Sequence, residues 1–565
     1  MSWLTQSLSK CRYRAGNQKP AAFAPACLQQ APVRSPDDGS SYRDIMHCNK
    51  KPFYLKGGST VDSSTMDSYL MHALNHINRT REIVVKNDAK LRSDPSKDIL
   101  DDNSFLDQGF TRPKVLFLLP LKSIARRVVK RLIQLSPLSQ KDIIAKFEGK
   151  FGESDDEVEE PVQSNKPADF DLLFAGDTDD EFLFGIKYTK KSMNLFSNFY
   201  SSDIIVASPL ALIKKINGVD DNGKEPAKER DFDFLSSIEW LTSTIHTFYR
   251  DVHAHLISFL SDLKWSCKID LVSNMLNFSM WNSLHVAKYM DKFTLIVVVD
   301  HADVILMQSW SHLYAVFEQL NQLPSKEHGT NVMRIRPWYL DQHARYYRQT
   351  ILLSSYLTPE MNALFNGLCL NYEGKVKLVT EFKGVLSKIQ FEAPQVYERF
   401  DASSITEVDD ARFDHFCKKV YPKIQESDEG RVLLFVSSYF EYIRIRNFLK
   451  SQEASFCRIG ETTSQQDISR ARLWFFEGKK KILLYSERSH FYHRYKIRGA
   501  HHLIIYSLPG RKEFYPELVN MLSESENRKC TVFFSRLDLL KLERIVGTFA
   551  AQRLVSSDKS IFVFR

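Results

Sequence analysis

Hydrophobic and polar positions recur along this chain in one order: a short apolar run, a turn, then an amphipathic stretch. The clearest run is LIVVV at 295–299, followed at once by DHAD at 300–303. An apolar, mostly β-branched run closed by acids predicts a buried parallel strand that delivers Asp300 and Asp303 to a sheet edge. The same order appears at 115–135 (VLFLLP, then LKSIARRVVKRLIQL), at 201–212 (SSDIIVASPLAL) and at 350–360 (TILLSSYLTPE). A helix is predicted over 66–86, with Ser64 and Asp67 at capping-box spacing. After a polar stretch the rhythm restarts: strands at 431–438, 454–460, 480–487 and 500–509 alternate with helical patterns at 439–452 and 464–478. Strands alternating with helices predict α/β architecture with parallel sheets and right-handed crossovers.

The expected organisation has four parts. Residues 1–60 read as an irregular basic and polar tail, and 61–385 as a first lobe with an acidic loop near 153–165. An atypical aromatic- and His-rich insertion at 240–294 interrupts that lobe. Residues 386–430 read as a connection and 431–565 as a second lobe.

Composition adds limits. A chain of 565 residues is too long for one ordinary core, and 43% hydrophobic with 26% charged residues is globular. A formal charge of +8 is modest at this length, so nucleic-acid contact must come from local patches. Eight cysteines lie far apart without a CxxC pair, which fits reduced thiols and not a zinc module. No apolar run approaches a membrane span. The first 36 residues contain Lys10, Arg12, Arg14, Lys19 and Arg34 and no acid, a composition that suits either a disordered basic tail or an organelle transit peptide.

Several clusters could carry chemistry. His72 and His76 stand four apart, a metal-compatible spacing, but the Glu of a His-Glu-x-x-His site is missing; they read as surface or capping histidines, and no metal is expected. Asp177, Asp179, Asp180 and Glu181 form an acidic cluster on a loop, and a nuclease would need further acids to converge on them. Lys122, Arg126, Arg127, Lys130 and Arg131 follow the strand at 115–119, and most can share one helix face, suited to gripping phosphates. RIRPWYLDQHARYYRQ at 334–349 interleaves arginines, among them Arg334, Arg336, Arg345 and Arg348, with aromatic residues. Charge for phosphates and rings for bases would suit irregular RNA. The competing reading makes Trp338, Tyr346 and Tyr347 core, with the arginines a solvated rim. Arg488, Arg494, Lys496 and Arg498 are secondary candidates for RNA contact.

The order of strand endings resembles that of DEAD-box helicases. Pro120 and Ala125 sit where Pro-Thr-Arg-Glu-Leu-Ala would, Ser208-Pro209 where Thr-Pro-Gly-Arg would, and Ser354-Ser355 where Ser-Ala-Thr would. Asp300-His301-Ala302-Asp303 takes the Asp-Glu-Ala-Asp place. Three parts needed for ATP chemistry are missing. Upstream of Lys114 there is no Gly-x-x-x-x-Gly-Lys-Ser/Thr, and Lys56-Gly57-Gly58-Ser59 has neither the spacing nor a preceding apolar strand. His301 replaces the water-positioning glutamate. The arginine-finger motif expected after residue 504 is replaced by EFYPELVNML.

LMHALNHINRTREIVVKND, DQGFTRPKVLFLLPLKSIARRVV, FAGDTDDEFLFGIKYTKKS, RPWYLDQHARYYRQTILLSSYLTPEMNALFN and YSERSHFYHRYKIRGAHHLIIYSLP are similar to segments of the U3 small nucleolar RNA-associated protein 25 family, also called the digestive organ expansion factor family. The resemblance runs from about residue 40 to the C-terminus. It implies two tandem RecA-like lobes and a helicase-shaped assembly factor without ATPase motifs or a cofactor. Its setting would be the nucleolus, in the small-subunit processome, with pre-ribosomal RNA or U3 RNA and processome proteins as partners in 18S ribosomal RNA maturation. The insertion at 240–294 and the short basic N-terminus depart from the family pattern. The alternatives are an active RNA-dependent ATPase with an unconventional phosphate loop and a purely protein-binding scaffold.

Overall fold

The computed structural model describes residues 42–93, 105–136, 140–151, 166–189, 192–217, 233–235, 295–320, 330–341, 343–378, 380–427, 431–524 and 528–564. The basic tail up to residue 41, the acidic loop at 153–165 and the insertion at 240–294 lie outside them. The described residues divide into two compact units, one within 1–162, 172–355 and 360–378, the other within 163–171, 356–359 and 379–565.

The first unit is built on eight strands: β1 (Asp44–His47), β2 (Val115–Leu118), β3 (Leu183–Tyr188), β4 (Met193–Ser197), β5 (Ile204–Ala207), β6 (Leu295–Val299), β7 (Arg348–Leu353) and β8 (Lys375–Leu378). Their order is β4-β3-β5-β2-β6-β7-β1-β8. Strands β5 to β8 in that order pair in parallel, and β3 and β4 add an antiparallel edge. The helices that matter below are α1 (Ser59–Ser93), α2 (Lys122–Leu135), α3 (Gln140–Phe151) and α4 (Ala302–Gln319). As expected, β6 is interior. Residues 296–299 are each 0% exposed between β2 and β7, worth roughly 1.5–3 kcal/mol per side chain relative to exposure. Amphipathic α2 buries Ile124, Ala125, Val128, Val129, Leu132 and Ile133 and leaves its basic positions on the other face.

The second unit contains β9 (Gln395–Arg399), β10 (Val432–Val436), β11 (Phe456–Ile459), β12 (Ile482–Ser486), β13 (His502–Ile505), β14 (Lys529–Phe534) and β15 (Ile561–Phe564), in the order β11-β12-β10-β13-β14-β9-β15. All neighbours are parallel except β15 on β9. Helices α5 (Gln465–Phe476) and α6 (Glu487–His493) flank β12. The expected α/β class, with two tandem lobes each built on a mainly parallel sheet, is therefore the observed one.

Two expected boundaries move. The tail assigned to residues 1–60 contains β1, which pairs with β7 and β8 inside the first sheet. Asp44 makes DIMH look unlike a strand, yet its carboxylate is buried, accepting from Thr350 N at 2.7 Å and Asn371 N at 3.0 Å. The connection assigned to 386–430 contains β9, a member of the second sheet. The helix expected over 66–86 extends at both ends, and its histidines are not at the surface. His72 and His76 are 3% and 1% exposed on the face of α1 turned inward, with His72 Nε2 2.7 Å from Gln349 Oε1 and His76 Nδ1 3.2 Å from Tyr42 OH.

Burial pushes His72 down to about 4 and, with Lys50 nearby, His47 also to about 4, from an ordinary 6.5. The unfolded chain then binds protons between pH 6.5 and 4 that the folded chain does not, so stability is full above pH 6.5 and falls with acid. Asp44, pushed up to about 6 by burial, works in the opposite sense. Urea unfolding at pH 7 and pH 5 should show a loss on the order of 2 kcal/mol per such histidine, and His72→Gln should shrink that difference. An unchanged pH difference in the variant would count against the assignment.

Candidate functional site

The carboxyl end of the first sheet gathers residues from three segments. Past β1 the chain turns so that Lys50 N donates to Ser354 O at 3.0 Å, and its side chain points under the end of β6. Lys50 Nζ lies 2.6 Å from Asp300 Oδ1 and 2.7 Å from Asp62 Oδ1, with exposures of 3% for the lysine and 1% for each acid. Arg127 Nη2 donates to the other Asp62 oxygen at 2.8 Å, and its guanidinium covers the Phe53 ring at 4.3 Å. Tyr69 OH donates to Asp300 Oδ2 at 3.1 Å, and His301 N to Asp300 Oδ1 at 2.8 Å. His301 holds φ +55, a left-handed conformation that turns the chain sharply from β6 into α4. Asp303 Oδ2 accepts from Ser355 Oγ at 2.8 Å and Tyr54 OH at 3.2 Å.

Burial alone would raise the Asp300 carboxyl, but the Lys50 ammonium and His301 outweigh it and hold Asp300 well below the usual carboxylate range. Burial would lower Lys50, and Asp300 and Asp62 more than reverse that. The result is a closed cluster of two carboxylates and two cations.

A magnesium nucleotide is what a helicase-type lobe would hold here, and these residues do not fit one. The carboxylates that could bind a divalent cation already hold an ammonium belonging to the chain. Two amides of the loop before α1 are spent within the loop: Leu55 N donates to Pro52 O at 3.2 Å and Gly58 N to Leu55 O at 2.7 Å. Gly58 is itself required there, because an added Cβ would lie 1.9 Å from Pro52 O. Contrary to the sequence reading, Lys56-Gly57-Gly58-Ser59 does follow a strand, β1, and opens α1. Lys50 escaped notice because an isolated lysine in a polar stretch reads as solvated. The Asn49-Lys50-Lys51-Pro52 turn just after a strand was the available signal.

Beside this cluster, α2 presents Lys122, Arg126, Arg127, Lys130 and Arg131 on one open groove of about 600 Å³ that also takes in Phe53, Ser59 and Ser63. The structure thus brings all five expected cations together. Each also has an acid: Lys122 meets Asp177 at 2.6 Å, Arg131 meets Asp67 at 2.6 Å, and Arg126 and Lys130 share Glu148 of α3.

The arginine-rich stretch at 334–349 behaves differently from either reading. Arg334 is buried, paired with Asp107 at 2.6 Å and Asp88 at 2.5 Å; Arg336 is 1% exposed and donates to Asp107 O. Arg348 is 2% exposed, donates to Leu368 O at 2.6 Å and lies over the Phe317 ring. These three are not at the surface and leave the set of RNA candidates, while Trp338, Tyr346 and Tyr347 are only partly buried. Arg345 packs on its neighbour Tyr346 at 4.7 Å. In the second unit Arg494 is also buried, with Asp169 at 2.8 Å and Phe514 beneath it. Arg488 pairs with Glu461 at 3.2 Å, and Lys496 and Arg498 are exposed along an open groove of about 870 Å³. Among the described residues no group of His, Cys, Asp and Glu is arranged to hold a metal ion, and no helix is long and apolar enough to cross a membrane.

Residues 42–291 and 294–376 match the family model "UTP25, NTP hydrolase-like domain", and 385–564 match "Utp25, C-terminal domain". The chain is 50% identical over 546 residues to Protein NUCLEOLAR FACTOR 1 of Arabidopsis thaliana, covering 93% of this chain and 64% of that protein. It is 34% identical over 533 residues to U3 small nucleolar RNA-associated protein 25 of Schizosaccharomyces japonicus (93% and 71% covered). To the Homo sapiens homologue of that protein it is 34% identical over 536 residues, spanning 62% of its length. Among solved structures it is similar to the yeast DEAD-box splicing factor Prp28, at 13% identity and a TM-score of 0.24, covering 88% of this chain and 73% of that one.

Removing the ammonium alone should leave two buried carboxylates facing each other. Lys50→Met is expected to cost about 3–5 kcal/mol in urea unfolding, and adding Asp300→Asn should restore much of it. Equal stability of Lys50→Met and the parent chain would show that the cluster does not hold the lobe together.

Proposed function

Because the chain belongs to the U3 small nucleolar RNA-associated protein 25 family, we propose that it is a helicase-shaped RNA-binding assembly factor of the small-subunit processome. It holds pre-ribosomal RNA or U3 RNA and neighbouring processome proteins in the nucleolus during 18S ribosomal RNA maturation, without turning over ATP. Support for the nucleolus comes from the relatives' names; none of those names supports an organelle.

One observation carries the non-catalytic reading: the Lys50 ammonium buried between Asp62 and Asp300. A magnesium ion would have to expel a lysine held by two carboxylates in a dry site, and doing so would strand that lysine among apolar neighbours. His301, in place of a carboxylate base, and the two amides spent within the loop before α1 point the same way. In the second unit the corresponding strand ends are also occupied by their own contacts: buried Glu487 accepts from Gly510 N at 2.8 Å, and Ser437 N donates to Ser507 Oγ at 2.8 Å.

The α2 groove is the site for RNA phosphates. Its ion pairs outside the Asp62 cluster are partly exposed, and exposed pairs of this kind are worth about 0–1 kcal/mol, so exchanging a carboxylate for a phosphate costs little. Phosphate contacts position RNA without reading its sequence, so binding should be salt-dependent and only weakly sequence-specific.

Arg126→Gln, Lys130→Gln and Arg131→Gln together, with Arg127 left in place because it supports Asp62, should weaken RNA binding roughly tenfold or more. Each lost contact should flatten the salt dependence by about 0.7 in log-log slope. Filter binding across a salt series checks both. Unchanged affinity would remove the groove from the reading. Magnesium- and RNA-dependent ATP hydrolysis by the purified chain, abolished by Asp300→Ala, would replace it with the ATPase alternative.

A further inference from the structure

The second unit carries a surface of a different kind from the α2 groove. At the C-terminal end of α5, Leu473, Trp474 and Phe476 are 53%, 37% and 52% exposed, large apolar side chains that a solvated helix face does not need. They are interleaved with cations. Arg470 lies over the Trp474 ring at 5.8 Å and Arg472 over Tyr495 at 5.6 Å. His493 stacks on Tyr495 with centroids 5.1 Å apart and planes at 27°. Arg472 also donates to Lys496 O at 3.2 Å, and Arg431 to Phe476 O at 2.6 Å, which ties α5 to the 494–501 segment. Gly499, at φ +87, lets the Phe476 ring lie against the backbone, since an added Cβ would come within 3.3 Å of it. Phe476, Arg431, Lys496, Arg498 and His501 line the groove of about 870 Å³. Residues 465–501 hold nine Lys and Arg against three acids; Arg470, Lys479, Arg488 and Arg494 are paired with Asp467, Glu477, Glu461 and Asp169, and Arg472, Lys496 and Arg498 keep the patch positive.

We propose that the surface formed by the end of α5 and residues 494–501 binds unpaired RNA by stacking bases on Trp474 and Phe476, with Arg472, Lys496 and Arg498 engaging the adjoining phosphates. The proposal rests on the RNA-binding reading above and deepens it by adding a surface that contacts both bases and phosphates to the α2 groove, which contacts phosphates alone. Bases offer π faces only where they are not paired, and exposed rings beside guanidinium groups are the arrangement that uses them. A protein partner with an acidic, apolar face is the competing occupant. The charge excess together with three arginine or histidine contacts to aromatic rings favours the nucleic acid.

The test measures fluorescence anisotropy of the whole chain with a labelled 20-nucleotide oligouridine and a blunt 20-base-pair RNA duplex. Trp474→Ala with Phe476→Ala should lower affinity for the single strand roughly tenfold or more, leave the duplex unchanged, and leave the salt slope of the single strand unchanged. Trp474→Phe with Phe476→Tyr should restore most of the loss. Both residues are exposed, so thermal unfolding of the variants should match the parent chain. Equal loss on single strand and duplex, or no loss on either while the α2 variants still weaken binding, would overturn the stacking surface and leave the groove standing. Failure of the parent chain to bind either RNA would overturn both readings and favour the protein partner.

Discussion

The first lobe depends on a positive charge placed where no solvent reaches it. Lys50, Asp300, Asp62 and Arg127 form a chain of alternating signs that joins the exit of β1, the end of β6, the first turn of α1 and the exposed face of α2. Taking one ammonium and two carboxylates out of water is costly, and the cost is offset only when the charges pair and further donors reach the carboxylates. Tyr69, His301 N and Arg127 supply the remaining donors. The geometry of each segment is therefore constrained by the others: where α1 starts is fixed by Asp62, and how β6 turns is fixed by Asp300 with the left-handed His301.

That constraint also decides what the acids of the edge can do. Each of these carboxylates is already engaged by fixed internal donors, which a divalent ion would have to displace. Asp303 is used in the same way, accepting from Ser355 and Tyr54, which links the end of β7 and the loop before α1 to the start of α4. The DHAD sequence thus keeps a nucleotide-site strand ending but turns its acids inward, as brackets between loops.

Much of this architecture was legible in the chain. Apolar β6, amphipathic α2 and the alternation in both lobes follow from local periodicity, and the resemblance of strand endings identified their order. Features invisible to local reading are those settled by partners far away in sequence. Asp44 belongs in a strand because Thr350 and Asn371 supply its donors; Arg334 is buried because Asp107 lies beside it, 227 positions away. Charge in a sequence reads as solvation by default, and Lys50, His72, Arg336 and Arg348 all break that default through long-range pairing. The spacing put most of the α2 cations on one face, but did not show their carboxylate partners, since Glu148 and Asp177 lie on separate segments.

Those partners change how the positive charge should be weighed. Five cations on α2 face Asp62, Asp67, Glu148 and Asp177, so the groove carries close to one net charge and not five. On the proposed reading, phosphate binding there would be an exchange of one anion for another, its strength set by how much better a phosphate fits than a carboxylate. At the end of α5 Arg470 and Lys479 have acids in Asp467 and Glu477, whereas Arg472 and Arg431 are held by a ring face and by backbone carbonyls, which do not cancel a full charge. An incoming phosphate at that surface meets a field that is not already neutralised. A count of basic residues would rank the α2 groove first; on the proposed RNA-binding reading, the balance of charges would bring the end of α5 level with it, since Arg472, Lys496 and Arg498 would meet phosphates without first exchanging a paired carboxylate.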